Sequence, residues 1–176
     1  MGDFMATLRA TPGVSARCLE FVILTAARSG EARGATWEEI DLRRAIWAIP
    51  GDRMKAKKEH RVPLSSSAVA LLKSMERQPH QDLVFPSPRS GGALSDMSLL
   101  ELMRRQRLEA TPHGFRSTFR DWASEHTNYP RELAEVALAH IKSDATEAAY
   151  WRSDVLEKRR EMMNEWANFL KEKKYD

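Results

Sequence analysis

Apolar residues recur at helical spacing through residues 15–28, where Leu19, Val22, Ile23 and Ala26 predict a strongly hydrophobic helix. Gly30 and Gly34 loosen the turns that follow, and Trp37 begins an amphipathic exit through Ile40 and Leu42. The pattern then shortens. Residues 45–49 read as a short strand, Gly51-Asp52 breaks it, and His60-Arg61-Val62-Pro63-Leu64 reads as its partner. Pro63 marks that partner as an edge strand or a strand end, because proline cannot donate to a sheet ladder. Helical spacing returns through Val69, Leu72 and Met75, capped by Ser65 or Ser66, and again through Leu99, Leu102 and Met103, capped by Ser95. Residues 79–94, with prolines and Gly91-Gly92, form a loop that holds a short apolar Leu83-Val84-Phe85. Thr111-Pro112 opens a helix whose buried stripe is Phe115, Phe119 and Trp122. Pro130 starts a helix ending near His140, a short helix holds Tyr150, and a last amphipathic helix after Ser153-Asp154 carries Leu156, Met163, Trp166 and Leu170. Helices, one small sheet, then helices predict a mainly α fold with a small antiparallel β-hairpin insert.

Composition narrows the classes. A chain of 176 residues suits a single domain with a real core, and 42% hydrophobic with 30% charged residues is ordinary for a globular protein. No apolar run is long enough to span a bilayer, and Met1-Gly2-Asp3-Phe4 lacks the pattern of a secretory signal. Cys18 is the only cysteine and lies in an apolar stretch, so it reads as an inert core thiol in a reducing compartment. The net charge of +3 is modest, but its distribution is not. Arg53, Lys55, Lys57, Lys58 and Arg61 crowd the predicted hairpin tip, and Arg104, Arg105 and Arg107 make a second cluster. On charge alone these are solvated faces; at a hairpin tip they favour a polyanion, with Arg53, Lys57, Lys58 and Arg61 as DNA contacts.

The chemistry lies in scattered polar residues. His113 and Arg116 stand at i and i+3, so on a helix both leave the same face, an imidazole beside a guanidinium fork suited to phosphate. Arg28 follows the apolar helix, with Glu31 three residues on as a capping partner. A second guanidinium completes a phosphate clamp. Three tyrosines compete as nucleophile. Tyr129 precedes a proline at a helix start and Tyr175 lies near the terminus, so both read as structural. Tyr150 sits among small residues ten positions after His140, where a DNA backbone can approach and the hydroxyl can attack phosphorus. Lys55 is a surface contact or the general acid, a role for which Lys57 and Lys58 compete. The five histidines and the lone cysteine lack metal-ligand spacing, so no metal or cofactor is expected.

Five stretches carry a resemblance: TAARSGEARGATWEEIDL (25–42), RMKAKKEHRVPLS (53–65), HGFRSTFRDWA (113–123), LAEVALAH (133–140) and EAAYWRSD (147–154). In order and content they resemble the catalytic domain of the tyrosine recombinases, in particular the phage and genomic-island integrases. The resemblance implies that family's α+β catalytic-domain fold and a site of Arg28, Glu31, Lys55, His113, Arg116, His140 and the nucleophile Tyr150. It implies DNA cleavage and rejoining through a 3′-phosphotyrosyl intermediate at double-stranded attachment sites. A homotetramer on DNA would form in the full-length protein, the isolated domain being monomeric, in the bacterial cytoplasm at the nucleoid. Ala139 departs from the family, where glycine is common before the histidine. Family members carry core-binding and arm-binding domains upstream, so residues 1–176 are read as a single catalytic domain cut from a longer protein. A catalytically idle DNA-binding module and a type IB topoisomerase-like activity are the alternatives.

Overall fold

The computed structural model describes residues 1–108, 110–140 and 155–172. Its centre is helix α2 (Val14–Thr25), in which every residue from Cys18 to Thr25 is buried. A helix apolar nearly all round must be wrapped by others. Helices α1 (Gly2–Ala10), α3 (Ser29–Arg33), α4 (Ser66–Ser74), α5 (Asp96–Arg105) and α8 (Leu156–Phe169) surround it. Leu19, Phe21 and Ile23 are fully buried, each stabilising the fold by roughly 1.5–3 kcal/mol before entropy is counted. Cys18 is buried among them, and burial pushes its thiol up to about 12, so it is inert. The one buried charge of this helix, Glu20, is paired on both sides: Arg9 Nε and Arg17 Nη1 each reach its carboxylate at 2.8 Å. Arg17 also donates to the carbonyls of Leu8 and Arg9, fastening the end of α1 to α2.

The sheet has three antiparallel strands in the order β1 (Ile40–Asp41), β2 (Ile46–Ile49), β3 (His60–Pro63). The predicted hairpin is β2 and β3, with Trp47 opposite Val62 and Ile49 opposite His60. Pro63 ends β3 on the sheet edge, where its missing N–H costs no ladder bond. Strand β1 replaces the amphipathic exit read from Trp37 to Leu42. A short 3₁₀ turn at Trp37–Glu39 delivers Ile40 opposite Trp47, and the Asp41 carboxylate accepts the N–H groups of Arg43 and Arg44 to turn the chain. The connection from β2 to β3 is a folded loop rather than a tight tip. Gly51–Arg53 forms another 3₁₀ turn, and Met54 plugs into the core. A side chain at Gly51 would meet the Lys57 carbonyl oxygen at 3.0 Å, so this loop closes tightly on itself.

The second half packs α6 (Gly114–His126) and α7 (Arg131–Ala137) against α8. Phe119 and Trp122 of α6 meet Trp166 of α8 at 5.4 and 5.1 Å between ring centres. Trp166 is fully buried and its indole N–H donates to the Ile23 carbonyl at 2.8 Å. Asn164 accepts the Ser66 N–H, and Arg159 donates to the Arg61 carbonyl. The last helix therefore packs on its own domain, against α2, α4, α7 and β3.

Candidate active site

The apolar run predicted to stay helical to residue 28 stops at Thr25, because Ala26 turns into the left-handed region at φ 50°. Such a turn exposes the last carbonyls of the helix. Helix α7 ends the same way. Ala139 lies at φ 50°, its N–H bonds to the Val136 carbonyl at 3.0 Å, and the His140 N–H bonds to the Glu135 carbonyl at 2.9 Å. That is a Schellman turn, and it explains why glycine suits position 139: an alanine there works against its own Cβ.

Arg116 fills the gap between these two helix ends. Its Nη1 donates to the Ala26 carbonyl and its Nη2 to the Leu138 carbonyl, each at 2.6 Å. Both partners are carbonyls at carboxyl ends of helices, where the dipoles carry negative partial charge and offset the cost of burying a guanidinium. The side chain is 3% exposed, and its Nε has no hydrogen-bond partner among the described residues. Burial and the nearby charge of Arg28 push Arg116 down to about 10, which leaves it charged at neutral pH.

Arg28 stands just beyond, at the start of α3, partly open to solvent. Its backbone N–H and Nη1 are both held by the buried Glu31 carboxylate, at 2.8 and 2.7 Å. His140 completes the group. Its Nε2 lies 3.2 Å from Arg116 Nη2 and its Nδ1 lies 2.7 Å from Glu135. The fold thus brings together Arg28, Glu31, Arg116 and His140. His113 is one backbone turn before Arg116, whose N–H bonds to its carbonyl at 3.1 Å, but its side chain is exposed while that of Arg116 is buried. The helix begins at Gly114, two residues later than the Thr111-Pro112 start, so His113 sits at its lip and not on its face.

The basic loop divides into two groups. Lys55, Lys57, Lys58 and Arg61 are exposed. Arg53 departs from the expected DNA-facing set. Its guanidinium turns inward to the Glu39 carboxylate and to the Glu31 carbonyl, the latter at 2.5 Å, and so ties the loop to α3. A ten-residue loop needs such an anchor, and the half-buried Glu39 gains a cation. Tyr129 is held by Glu165, which accepts its hydroxyl at 2.7 Å; burial and that carboxylate push its phenol upward, away from an activated nucleophile. Tyr150 and Tyr175 lie outside the described residues. Among the described residues no three His, Cys, Asp or Glu side chains cluster to hold a metal, and no helix is long and apolar enough to cross a membrane.

Sequence reasoning passed over His60. It lines the same narrow pocket as Thr25, Glu31, Arg116 and Leu138. Burial pushes it down to about 3, the charges of Arg159, Arg116 and Arg28 add to this, and a hydrogen bond to the Ala137 backbone opposes them. Its ring is therefore neutral. The available signal was period two: His60 and Val62 share one face of β3, and Val62 is core.

A sequence model of the phage integrase family matches residues 2–157. Prophage integrase IntA of Escherichia coli (strain K12) is 36% identical over 175 residues, 96% of this chain and 42% of its own length. Prophage integrase IntZ of the same strain is 35% identical over 155 residues, 86% of this chain and 38% of its own. The integrase of Enterobacteria phage P4 is 31% identical over 189 residues, 96% and 43% respectively. The chain spans less than half the length of each of these relatives. On the family match and these identities, the chain belongs to the phage integrase family.

Proposed function

We propose that this chain is the catalytic domain of a site-specific DNA recombinase that cuts and rejoins strands through a 3′-phosphotyrosyl intermediate. What supports the reading is that Arg28, Arg116 and His140, from separate stretches of sequence, lie together as two cations and an imidazole, a group suited to a tetrahedral anion. Two guanidinium groups neutralise the non-bridging oxygens, and an imidazole supplies a third contact. Of the bonds Arg116 makes, the 3.2 Å contact to His140 is the longest and the one a phosphate oxygen would replace.

In this reading the Tyr150 hydroxyl attacks phosphorus and its proton passes to His113. The bond from phosphorus to the 5′ oxygen breaks, and Lys55 gives that oxygen its proton. Glu31 holds Arg28 in place. A 5′ hydroxyl from a partner strand then attacks the phosphotyrosine, and the proton transfers run in reverse. Bond energy is conserved, so no nucleotide cofactor is required. Lys57, Lys58 and Arg61 would meet the DNA backbone. Double-stranded attachment sites, assembly as a homotetramer on DNA and a place at the bacterial nucleoid belong to the same proposal. The naming of the relatives as integrases favours strand exchange over topoisomerase-like relaxation and over an idle binding module.

The test is a duplex with a nick beside the attachment core, which traps the covalent complex. Wild-type protein should give a protein–DNA adduct that survives denaturing gels, and Tyr150→Phe should give none. Adducts that persist in Tyr150→Phe would remove the assignment of the nucleophile. Transfer of the labelled strand to a second duplex separates a recombinase from a topoisomerase.

A further inference from the structure

Glu135 holds His140 twice. Its carbonyl oxygen accepts the His140 N–H at 2.9 Å, and its carboxylate lies 2.7 Å from His140 Nδ1. The left-handed turn at Ala139 makes this double grip possible, because it folds the chain back over the last turn of α7. The Glu135 carboxylate is largely buried while the imidazole is more open, so the acid is the fixed partner of the two.

The donor inventory then assigns the ring protons. A guanidinium has only N–H groups to offer, so at the 3.2 Å contact with Arg116 Nη2 the His140 Nε2 must be the acceptor. Nε2 therefore carries no proton, and the ring's single N–H is on Nδ1, donated to Glu135. A half-turn of the ring would set Cε1–H against the guanidinium and Cδ2–H against Glu135, and lose both bonds. An orienting carboxylate behind an imidazole is the arrangement that fixes tautomer and aim at other catalytic histidines.

We propose that Glu135 is a positioning residue, whose carboxylate locks His140 as the Nδ1–H tautomer and aims Nε2 at the anion seat beside Arg116. The consequence for phosphate chemistry rests on the recombinase reading; the lock on the ring does not. Glu135 itself touches no reacting atom. A plain ion pair at a helix end would stabilise the helix and leave the ring's tautomer and the cleavage rate alone.

The experiment compares the full chain with Glu135→Ala and Glu135→Gln. Long-range proton–nitrogen spectra of His140 should show a pyrrole-like Nδ1 and a pyridine-like Nε2 in the wild type. Glu135→Ala should shift the ring to a mixture of tautomers, and Glu135→Gln, which keeps a carbonyl acceptor, should restore much of the original signal. On the nicked duplex at saturating DNA, Glu135→Ala should slow single-turnover adduct formation by about 10–100-fold, the range seen when an imidazole loses its orienting partner. DNA affinity should stay unchanged, and Glu135→Gln should recover most of the rate. An unchanged tautomer in Glu135→Ala overturns the proposal, as does a full cleavage rate despite a shifted tautomer. If the wild type forms no adduct while Glu135→Ala shifts the tautomer, the recombinase reading fails and the positioning of His140 stands.

Discussion

Arg116 Nη1 and the Ala26 carbonyl oxygen meet at 2.6 Å, joining positions 90 residues apart through a buried bond. The same guanidinium spans to Leu138, so it is a structural rivet between two helix ends, and in the proposed function it is also a cation for the phosphate.

Arg116→Lys tests that double role. An ammonium can approach one helix end but lacks the planar fork that serves both. Unfolding in urea should show a loss of about 2–4 kcal/mol, since a buried carbonyl is left without its donor. Arg28→Lys, at a partly exposed site beside Glu31, should cost under about 1 kcal/mol. Equal losses in the two variants would contradict the rivet.

Ala139 is the next lever. Moving an alanine out of the left-handed region is worth about 1–2 kcal/mol, and the extra freedom glycine has when unfolded takes back roughly half. Ala139→Gly should therefore raise stability by about 0.5–1 kcal/mol, while Ala139→Val lowers it, because β-branching tolerates positive φ least. Thermal melts decide it: a lower midpoint for Ala139→Gly would show that the turn is not strained.

His60 makes stability depend on pH. Its ordinary value is 6.5 and its folded value about 3, so between these the unfolded chain binds a proton that the native protein does not. More protons on the unfolded state means stability rises with pH, and it is lost as pH falls from 6.5 toward 3. Well below 6.5 the loss approaches roughly 1.4 kcal/mol per pH unit from this residue. Urea unfolding between pH 7.5 and 4.5 should give a steeper decline for the wild type than for His60→Gln. Parallel curves would mean that His60 is not held neutral.

Arg53 and the lysines should separate cleanly. Lys57→Ala with Lys58→Ala should flatten the plot of log affinity for DNA against log salt by about 1.8, near 0.9 for each phosphate contact removed, at unchanged stability. Arg53→Ala should lower the melting temperature, because Glu39 and the Glu31 carbonyl lose their donor, and leave the salt slope alone. A reversed pattern would return Arg53 to the DNA-facing set.

What was legible in the sequence follows from the range of the interactions involved. Period two located β2 and β3, and helical spacing located the Phe115, Phe119 and Trp122 stripe, because both reflect one face meeting one core. Strand β1 has two residues, too few to show a period, and exists because Trp47 and Ile46 pair with it. The end of α2 at Thr25 was hidden because an alanine gives no sign of a left-handed turn. Arg28, Glu31, Arg116 and His140 were named from residue type and family pattern, but their proximity arises only in the tertiary fold. Glu135 escaped notice since its contact with His140 runs through i+5, outside the i+3 and i+4 spacing of a regular helix. The last helix shows its apolar stripe in the sequence but not what covers it; the Ile23 carbonyl that receives Trp166 lies 143 residues away.

The rivet at Arg116 also sets a timetable. A ribosome delivers the Ala26 carbonyl early and the guanidinium later, but the Leu138 carbonyl and the His140 ring emerge only after most of the chain has been made. A nascent polypeptide that lacks residues 131–140 offers no carbonyl or imidazole to Arg116 Nη2, so the junction of the two helix ends closes only once that stretch has been made.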